Sequence, residues 1–270
     1  MTTLDKYLDE QLSRGRSSFS REQATDKLQM SGEAFTAAAT RLTKKQRLVR
    51  PWRNFYVILR PEDRVAGAPD PMQWIDPLMK YLKLDYRVSL LRAAAFHGSS
   101  HQAAMVFQVI VPKQLRSFEI GRHRIQFIYQ TAAAFEETNK SQWVQQVKSE
   151  TSFVKMAGIE LMLLDSARYF HKAGGINGLA QIVHDVGAKA NQRELAKLAA
   201  SYENSAVRRL GYLLERFDCA RQSKALLTFV DEAKSFKPLD PSIKPLFEDS
   251  NPEINRKWML EINETVEIDT

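Results

Sequence analysis

Thr36, Thr40 and Lys44 recur at i, i+4 and i+8, which lines them along one face of a helix with Arg41 and Lys45 beside the line. Short hydroxyl side chains can approach base edges in a DNA major groove, and the cations can reach phosphates. This is the chemistry of nucleic-acid recognition, not of catalysis. Arg21 stands before the line, and Arg47, Arg50 and Arg53 follow it, with Trp52 and Asn54 in a stretch that reads as a turn.

A helix over about Gly32 to Lys45 must hold these residues, and Ala34, Phe35, Ala38 and Leu42 supply the apolar face it needs. Upstream, Ser20 and Gln23 form a capping-box pair that opens a helix carrying Ala24 and Leu28, with Met30 following, and Ser31-Gly32 interrupts the pattern. Leu4, Tyr7, Leu8, Gln11 and Leu12 predict an earlier amphipathic helix ended by Gly15. Downstream, Arg47 to Arg50 and Phe55 to Leu59 read as strands joined through Pro51, Trp52, Arg53 and Asn54. That order is the outline of a winged helix-turn-helix over residues 1–64. In such a domain Thr36, Thr40, Arg41 and Lys44 fall near bases, Arg21, Lys45, Arg47, Arg50 and Arg53 near phosphates, and Trp52 or Asn54 at the wing tip.

The charge is distributed accordingly. Of a net +7, residues 1–64 hold 13 Lys and Arg against 8 Asp and Glu, whereas the remainder holds 26 against 24. A field concentrated on one small domain steers it toward a polyanion. Double-stranded DNA is the expected partner. A membrane surface would call for large apolar residues on the basic helix, where this chain has alanines. The competing reading is a protein-interaction module that uses the same basic face to meet an acidic partner.

No run of about 18 apolar residues is present and the first residues lack the order of a signal peptide, so a cytoplasmic protein without a membrane span is expected. Cys219 is the single cysteine, which excludes an internal disulfide or a cysteine metal cluster and predicts a buried, inert thiol. Pro61, Gly67, Pro69, Pro71 and Pro77 mark a linker over 65–77, followed by a second domain over 78–270. There Asp76-Pro77 opens a helix to about Leu84, Ser89 to His97 forms another, and Met105 to Val111 reads as a strand buried on both faces. Phe118-Ile120 and Arg124 to Tyr129 make a hairpin, and Trp143 to Val147 and Phe153 to Met156 are further strand candidates. Helices follow at about 159–171, 176–187, 192–200, 204–217 and 221–234, and Trp258 to Ile262 is a late strand after a tail holding Pro238, Pro241, Pro245 and Pro252. The fold class is α+β, with a winged helix before mixed strands and a helical bundle.

Enzyme signatures fail one by one, and no catalytic residue, metal or cofactor is expected. His97 and His101 have the spacing of a zinc pair, but Gly98, Ser99 and Ser100 between them break a helix. Gly174, Gly175 and Gly178 lack the lysine-serine end of a phosphate loop and read as a turn between helices. Gly98-Ser99 before a strand suggests nucleotidyl transfer, yet Val106 to Ile110 supplies no carboxylate for a magnesium ion. Glu160 and Asp165 on one helix are most simply a salt bridge or cap and a solvent contact.

Taken together, the chain resembles the AbiEi family, antitoxins of abortive-infection toxin–antitoxin operons. The resemblance rests on the N-terminal winged helix, the segment Tyr86-Arg87-Val88-Ser89-Leu90-Leu91-Arg92-Ala93-Ala94-Ala95-Phe96-His97-Gly98 leading into the 105–111 strand, the helix Gly158 to Phe170 with Glu160, Leu164 and Asp165, and Arg208-Arg209-Leu210-Gly211-Tyr212-Leu213-Leu214-Glu215. Leu161 departs from it, standing where the family usually has an arginine. The resemblance implies a winged helix that binds inverted repeats in the promoter of its own operon and represses it. It also implies a C-terminal domain that counters a nucleotidyltransferase-like toxin encoded beside it.

Overall fold

Hydroxyl side chains start the first three helices. Thr3 accepts from the Lys6 amide at the head of α1 (Leu4–Ser13). Strand β1 (Ser18–Ser20) then runs into α2 (Arg21–Leu28), where Ser20 and Gln23 complete a reciprocal capping box. Ser31 caps α3 (Gly32–Lys44) by accepting from the Ala34 amide. Strands β2 (Leu48–Trp52) and β3 (Phe55–Ile58) follow, and β3 lies between β1 and β2 in a three-stranded antiparallel sheet.

This order of three helices, a short strand and a terminal hairpin is the winged helix. Its core comprises Leu4, Tyr7, Leu8, Phe19, Ala24, Phe35, Ala39, Leu42, Leu48, Tyr56 and Ile58. Phe19 sits between the Tyr7 ring at 5.3 Å, edge-on, and the Tyr56 ring at 5.7 Å, stacked. Ala39 occupies the place on α3 that periodicity assigned to Ala34, which is exposed. The physical reason is spacing: residues 35, 39 and 42 follow the i, i+4, i+7 rule, while residue 34 is rotated about 100° from 35.

The computed structural model describes residues 3–99, 106–243 and 253–268. His101, Met105, Pro245 and Pro252 lie outside them. By packing the chain divides into two compact units, one of Met1–Val88, Met105–Ala132 and Gln145–Met156, the other of Ser89–Ala104, Ala133–Val144 and Ala157–Thr270. No helix among the described residues is long and apolar enough to cross a membrane.

The first unit holds the winged helix together with a second, mixed sheet. Residues 65–77 pack within it, with Ala68 and Trp74 buried and the Trp74 indole donating to the Pro69 carbonyl at 3.1 Å. Helix α4 (Ile75–Tyr81) begins one residue before the expected cap, because Asp76 is drawn inside the first turn by Lys80 at 2.7 Å and by the Tyr86 hydroxyl at 3.1 Å. The sheet is formed by β4 (Arg87–Val88), β5 (Val106–Val111), β6 (Phe118–Ile120), β7 (His123–Tyr129), β8 (Val144–Lys148) and β9 (Phe153–Ala157) in the order β6-β7-β5-β4-β9-β8. β5 is central and buried, as its unbroken apolar run requires. Gly121 makes the tight β6–β7 turn at φ +55°, and a Cβ there would lie 2.1 Å from the Ala66 carbonyl oxygen.

The second unit is mainly helical: α5 (Leu90–Phe96), α6 (Ala132–Thr138), α7 (Ile159–Arg168), α8 (Gly175–Val186), α9 (Gln192–Ala199), α10 (Asn204–Arg216) and α11 (Ala220–Leu226). A small sheet of β10 (Lys237–Pro238), β11 (Glu253–Asn255) and β12 (Leu260–Ile262) completes it, with β12 central. α11 stops at Leu226 and passes into a 3-10 turn over Leu227–Phe229, shorter than its periodicity predicts. Gly174 and Gly175, at φ +87° and +78°, form the turn into α8.

Candidate nucleic-acid interface

Burial of Phe35, Ala39 and Leu42 turns the opposite side of α3 outward. Thr36, Thr40, Arg41, Lys44 and Lys45 are all exposed there. The Thr36 hydroxyl donates to the Gly32 carbonyl and the Thr40 hydroxyl to the Thr36 carbonyl, each at 2.8 Å. With their protons so placed, both oxygens present acceptor lone pairs, and a methyl, away from the helix. Arg41, Lys44 and Lys45 make no ion pair among the described residues. Three free cations therefore crowd the C-terminal half of α3, where the helix dipole favours them.

The other expected contacts divide into two groups. Arg50 and Arg53 on the hairpin are exposed and without an ion pair among the described residues. Arg21, Arg47, Trp52 and Asn54 are instead engaged inside the first unit. Arg21 Nη2 donates to the Gly32 carbonyl at 2.8 Å and the guanidinium lies 5.8 Å over the Phe35 ring, tying the head of α2 to the head of α3. Its backbone amide donates to the carbonyl of Asn54 at 2.8 Å, and Asn54 takes the left-handed φ of +58° that closes the two-residue turn. Arg47 lies 3.1 Å from Asp5 and 2.5 Å from Asp9, so two carboxylates of α1 already neutralise it.

Trp52 owes its place to a β-bulge. The β2–β3 register runs Leu48 to Ile58 and Val49 to Val57, then shifts so that Trp52 faces Phe55. One extra residue re-aims the indole. It packs edge-on against Phe118 at 6.0 Å and Phe127 at 6.3 Å, on the mixed sheet.

In the second unit the segments that carry the family resemblance converge on buried polar groups. Asp165 on α7 is fully buried and accepts from the Ser89 hydroxyl at the start of α5 and from the Tyr202 hydroxyl before α10, both at 2.7 Å. The expected solvent contact at Asp165 is thus replaced by an internal one, because Leu161 to Leu164 and Ala167 bury every side of that turn. That apolar run was the available signal. Glu160 accepts from the Asn191 amide at 2.6 Å, a cap as expected. Arg209 is buried with its guanidinium 4.5 Å over Phe170, and donates to the carbonyls of Leu239 and Ala167. Burial pushes its pKa down to about 10, with the Asp240 charge partly opposing, which leaves it charged at neutral pH. Arg208 donates to the carbonyls of Ser235 and Met259. Ser99 donates to Asp185 at 2.7 Å. Cys219 is buried, and burial raises its pKa and keeps it a thiol.

Residues 87–216, from β4 to the end of α10, match the model of the AbiEi antitoxin C-terminal domain. The chain carries an AbiEi antitoxin domain. Its role is that of an antitoxin in a toxin–antitoxin system, which implies a cognate toxin as partner. The AbiEi domain contributes β4 to β9 to the first unit and α5 to α10 to the second. Among solved structures, the RV2827C protein from Mycobacterium tuberculosis has the same fold, with a TM-score of 0.62 at 14% identity over 95% of this chain and 89% of that one. No curated protein matches the sequence.

Proposed function

We propose that this antitoxin is also a transcriptional autorepressor: its winged helix binds inverted repeats in the promoter of its own operon, and its AbiEi domain counters a nucleotidyltransferase-like toxin encoded beside it. The supporting observation is the outer face of α3, where Thr36 and Thr40 are followed by three cations that no carboxylate of the described residues neutralises. α3 is the recognition helix, its hydroxyl oxygens accepting from base amino groups, with Arg41 and Lys44 near bases beside them and Lys45 anchoring it on the backbone. Arg50 and Arg53 hold phosphates from the wing. Arg21, Arg47, Trp52 and Asn54 fix the mutual placement of α2, α3 and hairpin.

The test is a fluorescence-anisotropy titration of the full chain on duplex DNA from immediately upstream of its gene and on a scrambled duplex, each at two salt concentrations. Preference for the upstream duplex by about 10³ or more supports repression at a specific operator. Equal and steeply salt-dependent binding reduces the reading to a polyanion-seeking surface, and no binding at low salt removes it. Co-expression with the adjacent gene tests the second role. A Lys44→Ala/Lys45→Ala chain should still relieve growth arrest, and arrest undiminished by the folded wild-type protein overturns the antitoxin assignment to that toxin.

A further inference from the structure

A cleft of about 930 Å³ lies within the first unit, with α1, β1 and α2 on one side and α4 and residues 151–152 on the other. That is the size of a pocket for a small organic molecule. Several polar groups along it are used by the fold. Ser17 and Thr151 both donate to the Gln73 carbonyl, at 3.1 and 2.6 Å, and Ser20 and Gln23 cap α2. Gln11 and Tyr7 are not used in this way. They are 5% and 3% exposed, both line the cleft, and neither the Gln11 amide nor the Tyr7 hydroxyl has a hydrogen-bond partner among the described residues. Buried polar groups are almost always paired, so an amide and a hydroxyl left open on a cavity wall await something that enters it. Burial raises the Tyr7 pKa, with the Arg16 charge partly opposing, so the phenol is a proton donor at neutral pH.

Charge on the cleft favours an anion. Arg14 pairs with Glu10 at 2.6 Å and Lys80 with Asp76 at 2.7 Å. Arg16 and Lys27 are exposed there without an ion pair among the described residues, against Asp26 as a carboxylate in the same condition. Arg16 is held beside Gln11, since its backbone amide donates to the Gln11 carbonyl at 2.9 Å. Half-buried Tyr81, its ring 5.5 Å from that of Phe55, adds an aromatic wall.

We propose that this cleft is a binding site for a mononucleotide, with the Gln11 amide and Tyr7 hydroxyl on the polar edge of the base, the Tyr81 ring against its face, and Arg16 and Lys27 on the phosphate. An amide both donates and accepts, which suits the edge of a heterocycle better than a bare anion. Aromatic rings stack on any base, and paired cations suit a phosphate. The inference does not depend on the DNA reading, in which Gln11, Tyr7, Arg16 and Lys27 take no part.

The experiment is isothermal titration calorimetry of the full-length protein with AMP, GMP, CMP and UMP, and with inorganic phosphate and the four nucleosides as separate arms. At least one nucleotide should bind at one per chain with a Kd below about 1 mM, and phosphate or the matching nucleoside at least about tenfold more weakly. Arg16→Ala/Lys27→Ala, two surface changes, should weaken that nucleotide by about tenfold or more, whereas Lys6→Ala, on the exposed side of α1 outside the cleft, should leave it unchanged. Gln11→Met should also weaken it, yet melt no lower than the wild type, because an apolar chain of similar size replaces an unpaired amide. Absence of binding by all four nucleotides overturns the proposal. So does phosphate binding as tightly as the nucleotide, which leaves an anion-seeking rim only, or nucleotide binding undiminished in Arg16→Ala/Lys27→Ala. A lowered melting temperature for Gln11→Met shows that the amide serves the fold and overturns its part in the site.

Discussion

Arg47, at the base of the wing, lies 2.5 Å from Asp9 on α1 and 3.1 Å from Asp5. A cation that the linear order assigns to phosphate is therefore used to hold the first helix against the hairpin. Because the pair is partly exposed, Arg47→Ala should lower stability by less than about 1 kcal/mol. In a DNA titration it should alter the salt slope less than Lys44→Ala does. A larger slope change for Arg47→Ala would place it on the backbone after all.

Trp52 supports the wing through Phe118 and Phe127. Trp52→Ala should cost about 2 to 3 kcal/mol, below the usual range for a fully buried tryptophan since the ring is only half-buried. Trp52→Phe should recover part of this. Urea denaturation would check it, and a variant of wild-type stability that has lost only DNA affinity would return Trp52 to the DNA face.

Asp165 binds two hydroxyls across 76 and 37 residues of chain. Asp165→Ala strands the Ser89 and Tyr202 donors in a dry interior and should cost about 3 to 5 kcal/mol. Tyr202→Phe, which removes one donor and leaves the carboxylate its other partners, should cost about 1 to 2 kcal/mol. The ranking of the two in chemical denaturation is the informative result.

Gly211 inverts the ordinary helix rule. Glycine to alanine in an exposed helix interior stabilises by about 1 kcal/mol, but a Cβ at Gly211 would fall 2.1 Å from the Trp258 ring, which is itself fully buried. Gly211→Ala should therefore lower the melting temperature, by the equivalent of about 1 to 3 kcal/mol. A raised melting temperature would mean that the ring moves aside freely.

Glu215 carries a pH signature. Burial alone would raise its pKa, but hydrogen bonds from Lys257 and the Trp258 indole, with the Lys257 charge, outweigh that and hold it below the ordinary value of 4.5. Since the folded pKa is depressed, the stabilisation is complete above pH 4.5 and is lost as pH falls through the folded value. The stability gap between wild type and Glu215→Gln should be constant from pH 7 to about 5.5 and close below pH 4. A gap that widens in acid would reverse the sign.

Much of this was legible in residue order. Ser20 with Gln23, Ser31, and the apolar spacing of α3 are local signals, settled within one or two helical turns, and they place the winged helix and the exposed line of Thr36, Thr40 and Lys44. Asp165 was misjudged because a single carboxylate on a helix carries no sign of which distant hydroxyls will meet it. Proline and glycine over 61–77 look like a linker in sequence, yet two 3-10 turns and the buried Trp74 build them into the first unit.

The sequence by itself determined the element types, the basic excess over residues 1–64 and the α+β class, because helix caps, periodicity and charge are properties of neighbouring residues. Only the tertiary structure decided which cations are free. Among the described residues Arg47 and Arg21 are engaged and Arg41, Lys44, Lys45, Arg50 and Arg53 are not, and that difference depends on carboxylates, carbonyls and rings brought from 38 residues away in one case and 11 in another. It decided the aim of Trp52 too, since a one-residue bulge turns a side chain without leaving a mark in composition or charge.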